Sequence, residues 1–151
     1  DLVVDTSSLT IHQLGHRVRA AFADEVEPLR VIVVSFGFKY GIPVDADLVA
    51  DLRFLPNPFW VPELRPHTGR DATVRDYVLG QERAGAFLAA YTDLLDTVLP
   101  GYLAEGKRFA TIAVGCTGGK HRSVAMTEEL TRIIVERGYV AHAVHRDLGR
   151  E

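Results

Sequence analysis

Two stretches of this sequence, Val31-Ile-Val-Val34 and Phe109-Ala-Thr-Ile-Ala-Val-Gly-Cys116, are almost unbroken runs of apolar and β-branched residues. A strand with one face in water alternates apolar with polar side chains. A continuous run therefore marks a strand expected to be buried on both faces, as in a largely parallel sheet covered by helices. This one feature directs the chain to the α/β class.

The remaining pattern fits that class. Ser7, Ser8 and Thr10 are helix-capping residues. After them Ile11, Leu14, Val18 and Phe22 recur at helical spacing, so a helix is expected over Ile11–Ala23. Asp24–Pro28 reads as an acidic, proline-ended linker, and the domain proper starts near Leu29. Strands are expected at Arg30–Phe36, Asp47–Phe54, Phe109–Cys116 and Tyr139–His145. Helices are expected at Thr73–Leu79, Glu82–Leu99 and His121–Arg137, the last closed by Gly138. Phe36–Pro43 is a glycine-punctuated loop. Leu55–Gly69 carries Pro56, Pro58, Pro62 and Pro66 and is expected to lack regular structure.

At 151 residues the chain suits one domain. It starts at Asp1 on a strand-like segment without an initiator Met, and we expect it to be cut from a longer protein. No apolar run is long enough to span a membrane, and no secretory leader is visible. A single cysteine excludes an internal disulfide and a paired-cysteine zinc site, and suits a reducing cytoplasm. We expect neither a metal nor a cofactor in this domain. A net charge of -3 excludes a polycation that coats nucleic acid, so any RNA contact needs a local basic patch.

The segment Gly115-Cys-Thr-Gly-Gly-Lys-His-Arg-Ser123 carries the chemistry. It joins a buried strand to a helix through a glycine turn. The first turn of a helix offers unpaired N–H groups and roughly half a positive charge, and glycines let backbone approach an anion. Lys120, His121 and Arg122 stand where that dipole disfavours cations, a conflict that a bound anion resolves. We therefore expect Thr117, Gly118, Gly119, Lys120, His121, Arg122 and Ser123 to bind a phosphate group. The segment is not a nucleotide P-loop: His121 follows Gly119-Lys120 where Ser or Thr is needed, and Val114 stands where the first glycine belongs.

The same residues also spell Cys116-x5-Arg122-Ser123, a pattern similar to the phosphate loop of cysteine-dependent phosphatases. There a thiolate attacks phosphorus, an arginine holds the oxygens and a serine assists the leaving thiolate. Gly115 replaces the usual preceding His, and an aspartic general acid is needed; Asp71 and Asp45 are the nominees. Cysteine-dependent phosphatase chemistry through Cys116 and Arg122 is thus the alternative reading.

Four segments together resemble the C-terminal domain of the RapZ/YvcJ family of bacterial RNase adapter and nucleotide-binding proteins. They are Ser35–Pro43, Asp51-Leu-Arg-Phe-Leu-Pro-Asn-Pro58, Leu64-Arg-Pro-His-Thr-Gly69 and Gly115–Ser123, in order across Leu29–Arg146. Residues 1 to about 28 then resemble the tail of that family's P-loop kinase-like domain plus a linker, with residues 29–151 the C-terminal domain. The resemblance implies a fold like the ligand-binding half of phosphofructokinases, and binding of glucosamine-6-phosphate and small regulatory RNA. It also implies self-association, and an ATP- or GTP-binding domain elsewhere in the whole protein. By position the sugar-phosphate contacts are Thr117, Gly118, His121 and Arg122.

Two departures matter. Phe59 stands where the enterobacterial branch has a His, so a stacking group replaces a hydrogen-bond donor. The tail His145-Arg-Asp-Leu-Gly-Arg-Glu151 mixes charges where that branch is densely basic, which weakens the RNA inference. The expected reading is a non-catalytic sensing and adapter domain. Lys39, Arg53, Asn57, Phe59 and Arg65 are expected to shape the rest of the pocket or an RNA face, with Arg70 and Lys120 adding charge. Arg53, between Leu52 and Phe54 on an expected strand, is the cation that should point into a site.

Overall fold

The computed structural model describes Val3, residues 5–21 and residues 28–151. Helix α1 spans Ile11–Ala21. It opens on a reciprocal cap: the Gln13 amide donates to Thr10 Oγ1 at 3.3 Å, and the Thr10 amide donates to Gln13 Oε1 at 2.9 Å. The expected last turn and most of the linker lie outside the described residues.

Four strands follow: β1 Arg30–Gly37, β2 Leu48–Asp51, β3 Phe109–Cys116 and β4 Val140–His145. They form one sheet in the order β2-β3-β1-β4, and every pairing is parallel. Three further helices connect them: α2 Ala72–Leu79, α3 Glu82–Ala104 and α4 Arg122–Glu136. The α/β class and the parallel sheet are as expected. The carboxyl ends of β1 and β3 lie side by side, with Gly37 in register with Cys116. That is the end at which open α/β sheets bind ligands.

Burial on the two faces is unequal. Val31, Val33, Ala110, Ile112, Val114 and Ala141 point into a core closed by Val74 and Val78 of α2, Leu95 and Leu99 of α3, and Met126, Leu130 and Ile134 of α4. On the other face Val49, Phe109 and Val144 are 46%, 60% and 45% exposed. The run Val31–Val34 is therefore not buried on both faces; Ile32 and Val34 are only half-buried. β-branched residues favour the strand conformation on either face, so the run reports strand more firmly than burial.

Three boundaries differ from the sequence reading. β2 ends at Asp51 because the Asp51 carboxylate accepts the Arg53 amide at 2.9 Å and turns the chain, so Arg53 and Phe54 are not on a strand. α3 continues through Pro100-Gly101 to Ala104. Pro100 faces solvent, where the carbonyl it leaves unpaired can bond water; the helix stops instead before Gly106, at φ 85°. The proline-rich Leu55–Gly69 contains one 3-10 turn, Pro58–Trp60, capped by Asn57, whose side chain accepts the Phe59 amide at 3.2 Å. Among the described residues no helix is long and apolar enough to cross a membrane. None of their His, Cys, Asp and Glu side chains form a group that could hold a metal ion.

Candidate anion-binding site

β3 ends at Cys116 and α4 starts at Arg122, with His121 as its N-cap residue. The intervening loop is held from three sides. The Lys39 amide donates to the Thr117 carbonyl at 3.3 Å, and the Gly69 amide donates to the Lys120 carbonyl at 2.9 Å. Gly119 has φ 79°, and a Cβ there would stand 2.8 Å from the Gly37 nitrogen. Only glycine fits, in conformation and in space. Behind it the fully buried Asp147 accepts the Gly37 amide at 2.8 Å and pairs with Arg146 and Arg150 at 2.7 and 3.0 Å.

Above this loop opens a cavity of about 460 Å³. It is lined by Thr117, Gly118, Lys120, His121 and Arg122 of the loop, by Lys39, by Asn57, Phe59, Trp60 and Arg65 of the proline-rich segment, and by Cys116 and Glu151. The far wall is tied together: Arg65 lies over the Phe59 ring at 4.8 Å and donates to the Phe59 carbonyl at 2.7 Å. The Arg65 carbonyl in turn accepts His121 Nε2–H at 3.3 Å. Five basic side chains face one acidic side chain, so the cavity suits an anion.

Arg122 is its centre. The residue is 4% exposed. Nη1 donates to the carbonyls of Leu55 and Arg53 at 2.9 and 3.3 Å, and Nη2 donates to Thr117 Oγ1 at 3.2 Å. Nε is buried with no hydrogen-bond partner among the described residues. Burial pushes its pKa down, and the nearby Cys116 and Asp51 pull it back up. An arginine stays charged throughout. His121 is buried too, and burial lowers its pKa, opposed by the Arg65 carbonyl and helped by the charge of Lys120.

Cys116 lies on the floor, 3% exposed. Its sulfur accepts the Gly119 amide at 3.3 Å and stands 3.1 Å from Ser123 Oγ. Gly119 and Ser123 therefore support the thiol and do not line the cavity. Arg53 lies outside it as well: it chelates Asp51, at 2.7 Å, and stacks over the Phe38 ring at 3.9 Å, contributing to the site only its carbonyl. Arg70 stands 3.8 Å from Glu128. Asp71 accepts the Thr68 amide at 2.7 Å, and neither it nor Asp45 lines the cavity.

Three participants are not among the residues expected from the sequence: Trp60, Glu151 and Asp147. Trp60 forms part of the mouth and is 73% exposed; the adjacent aromatics Phe59-Trp60 inside a proline-rich loop were the available signal. Asp147 had none, since a charged residue in a polar tail looks solvated.

Comparison with known proteins agrees with this architecture. The family described as RapZ C-terminal domain matches residues 29–149. A protein of Nocardioides sp. (strain ATCC BAA-499 / JS614) named nucleotide-binding protein is 64% identical over 152 residues, covering 100% of this chain and 50% of that protein. Proteins of the same name from Rhodococcus opacus (strain B4) and Streptomyces griseus are 62% and 60% identical, each over 100% of this chain and over 50% and 46% of their own lengths. The chain spans about half the length of these curated relatives.

Proposed function

The chain belongs to the RapZ C-terminal domain family, and we propose that it is a non-catalytic sensing and adapter domain whose cavity takes a phosphorylated metabolite. The ligand class is an amino-sugar phosphate, glucosamine-6-phosphate or a close relative. The observation that carries this reading is Arg122: a buried guanidinium at a helix N-terminus, anchored by neutral oxygens and with an unpartnered Nε. A buried cation without an ion-pair partner is costly, and a phosphate supplies both the charge and the acceptor. Phe59 and Trp60 at the mouth offer aromatic faces to a sugar ring, and Glu151 offers a carboxylate to an amine.

The test is a calorimetric titration with glucosamine-6-phosphate, glucosamine and inorganic phosphate, on the wild type and on Arg122→Lys. The sugar phosphate should bind most tightly. Arg122→Lys should lose roughly 2 kcal/mol of that affinity, because an ammonium cannot serve the fork of acceptors. Equal affinity for all three compounds, or an unaffected variant, refutes the assignment.

In the whole protein we propose that this site is coupled to nucleotide binding, after the name its relatives carry, and to small regulatory RNA in control of amino-sugar metabolism. The protein would act in the cytoplasm as a homo-oligomer. With Arg53 and Arg70 engaged by carboxylates, the cations left for RNA phosphates are Lys39, Arg65 and Lys120 at the cavity mouth. Salt-dependent RNA retention that the sugar phosphate displaces supports this, and retention indifferent to it places RNA elsewhere.

A second reading has its own support, the Gly119 amide and Ser123 hydroxyl directed at the Cys116 sulfur. These are the supports of a thiol that attacks phosphorus, forming an S–P bond as the P–O ester bond breaks. Among the described residues no aspartic acid lines the cavity, and Glu151 and His121 are the lining groups that could protonate a leaving oxygen. An aryl phosphate, whose leaving group needs no proton, is the least demanding substrate for the test. Aryl phosphate hydrolysis abolished by Cys116→Ser promotes this reading; no hydrolysis by the wild type removes it.

A further inference from the structure

Cys116 combines three features that the binding reading does not use. It is the chain's single cysteine, it is among the residues lining the cavity, and the groups around its sulfur are donors. The Gly119 amide points at the sulfur at 3.3 Å, and Ser123 Oγ stands 3.1 Å away. Arg122, which lines the same cavity, keeps a buried Nε–H without a hydrogen-bond partner among the described residues. Donors grouped around a sulfur can also hold an oxygen placed on that sulfur.

We propose that Cys116 is a site of reversible oxidation by hydroperoxides, and that the oxidised sulfur takes the place of phosphate in the loop. This rests on the anion-site reading above. In the step, the sulfur attacks the terminal oxygen of hydrogen peroxide. An S–O bond forms as the O–O bond breaks; sulfur loses two electrons, peroxide gains them, and the thiol proton leaves with the second oxygen as water. The product, a sulfenic acid, supplies the acceptor that Arg122 Nε lacks and fills the floor of the cavity. With no second cysteine in the chain, no internal disulfide can form, so reversal needs an external thiol. The metabolite and the oxidant then exclude one another, and the site reports both.

The experiment starts with the reduced protein, titrated calorimetrically with inorganic phosphate and glucosamine-6-phosphate. The protein is then exposed to hydrogen peroxide with dimedone as sulfenate trap, natively, natively with saturating phosphate, and unfolded in urea, and Cys116 is read by mass spectrometry. A parallel sample oxidised without dimedone is titrated again before and after dithiothreitol. We expect a native adduct on Cys116. Phosphate at about ten times its Kd leaves roughly one site in ten empty, so labelling should slow about tenfold. Binding should be lost on oxidation and return on reduction. Labelling of the unfolded chain alone means a sealed sulfur and overturns the proposal while leaving the anion site standing. An adduct with unchanged phosphate affinity overturns it too. Absence of any binding by the reduced protein overturns the anion-site reading first, a failure recognised before oxidant is added.

Discussion

Asp147 accepts the Gly37 amide at 2.8 Å across 110 residues of chain, and thereby fastens the end of β1 beneath the anion loop. Its Cβ lies 3.1 Å from where a Cβ on Gly119 would be. Loss of this carboxylate leaves a buried N–H without an acceptor and frees Arg146 and Arg150. Asp147→Ala should cost about 2 kcal/mol in urea unfolding and at least several-fold in phosphate affinity. Burial opposes ionisation of Asp147, but the hydrogen bonds from Arg146 and the Gly37 amide outweigh it, so its pKa lies below the usual 3.8. A lowered carboxyl pKa stabilises above the unfolded value and is lost as pH falls through the folded one. The wild type should therefore lose stability below about pH 4 more steeply than Asp147→Ala.

Gly119→Ala should be among the most damaging single-methyl additions. It forces a left-handed conformation, worth roughly 1–2 kcal/mol, and overlaps the Gly37 nitrogen. Gly85→Ala is the matched control. Gly85 sits inside α3, and an added Cβ would meet nothing among the described residues beyond the helix's own backbone, so that change should stabilise by about 0.5–1 kcal/mol. Thermal unfolding of the two variants decides whether position or composition governs the cost.

His121 should take up a proton when an anion binds. Its pKa in the empty site is below the ordinary 6.5, chiefly through burial. An anion beside it favours the imidazolium and raises that value. Sulfate is the suitable probe, because it does not titrate near pH 6. Calorimetry in two buffers of different ionisation enthalpy should show proton uptake below about pH 6.5, and tighter sulfate binding as pH falls through that window. Without ligand the sign reverses: the folded state binds fewer protons than the unfolded chain, so acidification through the same window should destabilise it. His121→Asn should abolish the uptake.

Trp60 should separate the sugar from its phosphate. It is largely exposed, so Trp60→Ala should change unfolding by less than about 0.5 kcal/mol. It should leave inorganic phosphate affinity intact and weaken glucosamine-6-phosphate by several-fold, a loss of about 1 kcal/mol of stacking. Equal weakening of both ligands means that Trp60 shapes the loop instead of contacting the sugar.

How far the site could be read in advance depended on whether the information was local. Strand Phe109–Cys116 and the helix after it were legible, because apolar content, β-branching and a glycine stop act over neighbouring residues. The glycine turn with its three cations was legible for the same reason. Arg53 was misplaced because the Asp51 side chain competes with the sheet for one amide, a contest that periodicity cannot see. The helix expected to end at Leu99 runs on through Pro100, because tolerance of that proline depends on its facing water, which is a tertiary fact.

The sequence by itself determined that a basic glycine loop would lie between a strand and a helix of an α/β sheet, since strand, turn and helix propensities are properties of short segments. Only the tertiary structure decided that Trp60 and Glu151 join that loop around one cavity, that one sheet face stays partly open, and that Asp147 is buried. Those outcomes depend on parallel pairing of β1 with β3 and β4, which brings residues 79 and 110 apart into register. A carboxylate or guanidinium is then buried where distant backbone groups can hold it, and no local pattern records where those groups will be.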